Sequence, residues 1–249
     1  MVLKLPNDWT DVSVEKFVQL KSFEQKDFAT NLSFRLEQLF TVTGTTADDD
    51  VWDVMPAEEL TALIKKLDFL TGSPSHNFKP EIKNFHYKES LTLGEFIDLE
   101  YLCGINYFEK LPEICAILYR KNSINEWGHN VIEPRGYNES ERAEEFLDIP
   151  IGDVYGVLQS YLNLKKKILD AYGEMLNEVD KNEEIEIPEE ELTPEDLEAE
   201  TKEKLANKWA WERVIHHYSQ KSNLTFREVT NLNLVFFMNQ LAMFHDLKI

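Results

Sequence analysis

The 249-residue chain has little cysteine, glycine or proline, a shortage of basic residues, and no long apolar run. Two cysteines, Cys103 and Cys115, are too few for a disulfide framework or a zinc cluster, and both read as reduced core residues. On that reading the sequons at Asn31, Asn138 and Asn223 carry no meaning. Nine glycines argue against a many-turned β-sandwich and against phosphate-cradling glycine loops. The longest apolar stretch near the C-terminus, Leu234 to Met238, is far short of a membrane span. The opening from Met1 to Trp9 lacks the apolar core of a signal peptide. With 26 Lys+Arg against 46 Asp+Glu, the net charge of −20 repels nucleic acid and anionic membranes. The expectation is a soluble intracellular protein with neither as its partner.

What the chain does have is aromatic side chains and helical periodicity. Aromatics make up 12% of the residues, enough for a well-packed core or interface. Residues 1–74 read as an N-terminal helical unit. Asp11 or Ser13 caps a helix bearing Val14, Phe17 and Val18, and a second helix over 25–41 carries Phe28, Leu32, Leu36, Leu39 and Phe40 on one face. Asp48 to Asp50 load the start of a short helix, and Pro56 opens another. Residues 75–179 read as a β-hairpin, turning at Lys83-Asn84, plus a second helical unit. Thr92-x-x-Glu95 is a capping box, Pro112 and Pro150 open helices, and Lys121 to Asn138 is a long polar loop.

Residues 180–200 hold eleven acids against Lys181 alone, and read as an extended acidic linker leading into a helix. Residues 201–249 then predict a C-terminal helical hairpin. Thr193-Pro194 starts its first helix, and Thr225-x-x-Glu228 opens a final one through Phe244. The fold class expected is all-α, mainly helical, with one small β-hairpin and a helical extension after the linker.

No residue pattern points to catalysis. G-x-S-x-G, G-x-x-x-x-G-K and G-x-G-x-x-G do not occur. Glu212 and His216 are four apart on a predicted helix, but no third ligand stands at a motif spacing, so no metal and no cofactor is expected. Lys165-Lys166-Lys167 reads as a solvated face. The candidate partner-binding residues are instead apolar: Trp209, Trp211, Phe236, Phe237, Met238 and Leu241. Five consecutive apolar residues cover every side of a helix, which something must bury: the body of the protein, a second copy or a client. Tryptophan is a frequent interface anchor, and Met238 and Met243 give an adaptable surface.

Three stretches carry a resemblance. They are Leu5 to Val14, with its W-x-D-V-S start; Ser90 to Leu99; and Ile114 to Arg120, followed by Tyr137 to Phe146 and Ile149-Pro-Ile151. In this order they resemble the tail-assembly chaperones and baseplate-hub assembly proteins of contractile-tailed bacteriophages, over residues 1–175. The resemblance implies a non-enzymatic assembly factor in the host bacterial cytoplasm. It would hold a tape-measure or baseplate-hub protein until assembly. It assigns no functional residue. The alternatives are a structural component of the virion bound to neighbouring subunits, a homo-oligomer, or an enzyme or small-molecule binder using the Lys121–Asn138 loop.

Overall fold

The computed structural model describes the backbone of residues 3–124, 130–132, 136, 139–182 and 199–247, with side chains for most of them. Among these, eleven α-helices and one small antiparallel sheet make the chain mainly helical. Two compact units divide it: residues 1–88 with 101–162, and residues 89–100 with 163–249. This partition follows contacts rather than sequence order, so segments read apart along the chain, 1–74 and most of 75–179, belong to one unit.

In the first unit, caps set the helix starts. The Ser13 side chain accepts from the Lys16 N–H and opens α1 (Val14–Ser22). Thr30 and Ser33 form a capping box for α2 (Asn31–Thr43), which Gly44 ends with φ 71°, a left-handed conformation that favours glycine. Helix α2 therefore begins later than its apolar spacing suggests. Phe28 lies ahead of it, packed edge-on against Phe34. Short α3 (Asp50–Asp53) and α4 (Ala57–Lys66) follow, with Pro56 as the N-cap residue of α4. Phe17, fully buried, meets Trp9, Phe108 and Tyr155 edge to face at 5.6–5.8 Å. Edge-to-face packing sets the positive ring edge on the negative ring face.

Strands β1 (Glu81–Ile82) and β2 (Phe85–Tyr87) form the expected hairpin, with Lys83 at positive φ in the turn. It does not stand alone. After α6 (Leu111–Leu118) the chain continues as β3 (Tyr119–Ile124) and β4 (Asn130–Ile132), giving a four-stranded sheet in the order β1-β2-β3-β4. The expectation of a single hairpin and a loop from Lys121 is corrected here. Tyr87, His86 and Phe85 pair with Tyr119, Arg120 and Lys121, so the strand is held by a long-range ladder. Residues 125–129, 133–135 and 137–138 of that loop, Trp127 among them, lie outside the described residues.

Helix α7 (Glu139–Leu147) packs on α6 through Ala143 and Phe146. Two buried arginines tie these elements together. Arg120 and Arg142 both donate to the Ala116 carbonyl, at 2.5 and 3.2 Å, and the Glu139 carboxylate lies 3.5 and 3.7 Å from them. The first part of α8 (Ile151–Asn182) closes the unit. Its start is held to the N-terminal segment by Val14 N–H to Ile149 O and Ile151 N–H to Val12 O, at 2.9 and 2.8 Å.

The second unit takes residues 93–100 of α5 (Leu93–Asn106), the remainder of α8, and α9 (Ala199–Ser222), α10 (Phe226–Thr230) and α11 (Leu234–Leu247). The Thr92–Glu95 box caps α5 as expected, the Thr92 N–H donating to Glu95 at 2.8 Å. Residues 183–198 lie outside the described residues, and with them most of the acidic stretch and the helix start at Thr193. Helix α8 itself continues to Asn182, past the expected end of the second helical unit. The Thr225–Glu228 box caps α10, where two hydrogen bonds from Thr225 hold the Glu228 carboxyl below its usual range.

The expected single final helix is two. Between α10 and α11 the backbone of Leu232 to Leu234 pairs with Leu91 to Leu93. Leu93 N–H donates to Leu232 O and Leu234 N–H to Leu91 O, both at 2.9 Å. A helix running through could not make that pairing. Asn233 then restarts the helix by accepting from the Phe236 N–H.

Candidate functional site

The six apolar residues singled out by sequence separate cleanly. A helix turns about 100° per residue, so the five-residue run in α11 spreads over all its sides. Leu234, Phe237, Met238 and Leu241 fall on one side and are fully or almost fully buried. Phe237 stacks against Tyr218 of α9 with ring centroids 4.8 Å apart, and Tyr218 also meets Phe244. Phe237, Met238 and Leu241 are thus core residues of the second unit rather than a free partner-binding face, because α9 covers that side. Trp211 likewise packs inward, edge-on to Phe96 at 5.6 Å. The Trp209 side chain lies outside the described residues.

Phe236 is different. It is 50% exposed, together with Val235 at 48%, Met243 at 41% and Leu247 at 61%. These four, with Asn239 and Asp246, occupy an arc of about 120° opposite the buried side. The run that covers every side is therefore half core and half surface. The sequence signal for Val235 and Leu247 was present in the same 3.6-residue geometry, but a run of consecutive apolar residues hides which half faces inward. Tyr172 of α8 donates to the Asn239 side chain at 2.8 Å, so α8 reaches the middle of the arc.

This difference gives a test. Phe236→Ser should leave the thermal melt within about 0.5 kcal/mol of the parent, as exposed substitutions usually do. Phe237→Ser should cost about 4 kcal/mol, because it removes a buried ring and leaves a hydroxyl in its place. Circular dichroism melts of the two variants check this. Equal effects would show that the inner and outer faces are misassigned.

Other side chains with chemical capacity are accounted for by packing. Cys115 is fully buried, and burial pushes its thiol well above the ordinary range, away from thiolate chemistry. Burial raises the Tyr119 hydroxyl in the same way, and it donates to the Lys79 carbonyl at 2.5 Å. His216 faces the side-chain amide of Gln220 at 2.8 Å on the exposed side of α9. Among the described residues, no three His, Cys, Asp or Glu side chains converge on a metal position. None of the described helices is long and apolar enough to cross a membrane. No protein-family model, curated protein or solved structure matches this chain.

Proposed function

We propose that the chain is a non-catalytic assembly factor of a contractile-tailed bacteriophage, acting in the host cytoplasm by holding an apolar helical segment of a tail or baseplate-hub protein. The carrying observation is the outer arc of α11, where four large apolar side chains stand exposed on one helix. Exposed apolar side chains gathered on one face are a feature of interaction sites. Phe236 and Met243, side by side within the arc, supply an aromatic anchor and an adaptable thioether. The net charge of −20 keeps a chain with such a face in solution. The resemblance of residues 1–175 to tail-assembly proteins supplies the setting.

Quantitative mass spectrometry of infected-cell lysate and of gradient-purified particles tests this reading. The expected result is protein that is abundant in lysate and absent from particles, with fewer particles when the phage carries Phe236→Ser at unchanged protein level. A fixed copy number in the particle would make the chain a structural component instead. Particle yield indifferent to Phe236 would remove the arc from its function.

A further inference from the structure

Helices α3 and α4 form an arm that the chain leaves half-covered. From Thr46 to Lys66 no residue is buried, whereas α1, of similar length to α4, buries Val14, Phe17 and Leu20. Yet the arm is rich in large apolar side chains. Val51, Trp52 and Met55 are half-buried, and Val54 among them is 80% exposed. On α4, Leu60, Leu63 and Ile64 share one face by their spacing of three and four, and all three are only half-buried. An aromatic contact and a polar clamp anchor the arm. Trp52 packs on Phe40 of α2 with ring centroids 5.3 Å apart. Arg35 of α2 donates to the Ile64 carbonyl at 3.0 Å and pairs with Asp68 at 2.5 Å. Ordering each residue costs about 1–2 kcal/mol of backbone entropy, which half-covered side chains offset only in part.

The same stretch carries charge of one sign. Asp48, Asp49, Asp50, Asp53, Glu58 and Glu59 stand in it, and no Lys, Arg or His occurs from Gly44 to Ile64. Asp49 accepts from the Thr46 N–H at 2.6 Å, and Glu58 and Glu59 suit the positive end of α4. Among the described residues none of the six has an ion-pair partner. Unneutralised carboxylates interleaved with apolar side chains complement a surface that is apolar in the middle and basic at its edges. A helix with an apolar stripe flanked by Lys and Arg presents both together, and Met55 lets the face adapt to it. A second copy of this chain would bring the same six acids to the face and be repelled.

We propose that the α3–α4 arm is a docking face for a basic amphipathic helix of a partner protein. Val54 enters the apolar stripe of that helix, and the carboxylates from Asp48 to Glu59 meet its lysines and arginines. The face shares no residue with the outer arc of α11 and takes a partner of different chemistry, defined by positive charge as well as by apolar side chains. Binding covers the half-buried side chains of the arm, which the chain by itself leaves in contact with water.

Fluorescence anisotropy of a labelled leucine–lysine peptide titrated with the full chain tests this. The peptide is roughly eighteen residues long, five helical turns, with its leucines on one face. A second peptide has the same composition in scrambled order. The expected result is that only the striped peptide binds, and that added salt weakens it by screening the contacts at the rim. Val54→Ser should weaken binding about tenfold, the effect of losing a central contact. Asp50→Asn, Asp53→Asn and Glu58→Gln together should weaken it to a similar degree. Glu189→Gln, Glu190→Gln and Glu191→Gln together remove the same charge elsewhere in the chain and should leave it unchanged, as should Phe236→Ser. Circular dichroism confirms that every variant keeps the parental fold. Binding of neither peptide, equal binding of both, indifference to Val54→Ser, or equal loss in the two triple variants would each overturn the proposal. So would loss of binding in Phe236→Ser, which would put the peptide on α11. A dimer of the free chain in sedimentation that Val54→Ser dissociates would make a second copy the occupant, and would overturn it as well. Particle yield with Phe236→Ser tests the client-holding function by itself and is independent of these results.

Discussion

Replacing Gly156 with alanine should unfold the first unit or cost it about 3 kcal/mol or more, the upper part of the range for overpacking. The reason is a backbone crossing. Gly156 sits on α8 where the chain at His76 and Asn77 passes over it, and its N–H donates to the Asn77 carbonyl at 3.3 Å. A Cβ there would stand 2.0 Å from the His76 carbonyl oxygen and 2.5 Å from its carbon. Backbone atoms cannot turn away as a side-chain tip can, so either the strap or the helix must move. A loss of this size lowers the midpoint by roughly 10 °C in a protein of this length. Gly173, later on the same helix, is the control, because nothing lies within 4 Å of its would-be Cβ. Gly173→Ala should stabilise by about 0.5–1 kcal/mol, the backbone entropy of a helical glycine. Thermal melts of the two variants should therefore move in opposite directions. A Gly156→Ala protein that melts with the parent would mean that the 76–77 segment does not cross α8 as described.

The second large effect is expected at Phe17. Its ring is fully buried, with three aromatic neighbours from the N-terminal turn, the segment after α5, and α8. Phe17→Ala should cost about 4 kcal/mol, from lost transfer free energy and from a cavity whose rigid ring walls do not collapse into it. Phe17→Leu, which keeps most of the volume but removes the edge-to-face geometry, should cost about 1.5 kcal/mol. Urea unfolding followed by tryptophan fluorescence measures both, since Trp9 lies against Phe17. If the alanine variant lost no more than the leucine one, the site would be able to repack, and Phe17 would not be the centre of that cluster.

The parts of the fold that were legible in the sequence are those written in local hydrogen-bond chemistry. Ser13, the Thr92–Glu95 pair and the Thr225–Glu228 pair cap helices through side chains three residues from their targets, so the signal and the structure occupy the same few residues. The hairpin at Lys83-Asn84 is equally local. What was illegible depends on distant partners. Tyr119 to Ile124 reads as helix end and polar loop because its strand neighbour, Phe85 to Tyr87, lies more than thirty residues earlier. The break at Asn231 to Asn233 is imposed by Leu91 to Leu93, far away in sequence. Arg120 and Arg142 carry no local signal of burial, yet both are buried, satisfied in part by one carbonyl within their own neighbourhood. Of the candidate site, sequence singled out the apolar run of α11 and its adjacent pair Phe236 and Phe237. It could not say which of Phe236 and Phe237 faced outward, since that depends on where α9 lies.

The way the chain is shared between its two units sets an order for biosynthesis. The first unit has all its residues once position 162 has been made, whereas the second needs residues 89–100 and then almost everything to the C-terminus. Leu91, Leu93, Phe96 and Leu99, buried in the finished protein, must therefore wait for partners that are translated last. At elongation rates of about 5–20 residues per second the interval is on the order of ten seconds, long enough for the ribosome-bound nascent chain to offer an apolar helix to whatever surrounds it. Synthesis thus leaves the second unit, the one that carries the outer arc of α11, as the later of the two to have its residues complete.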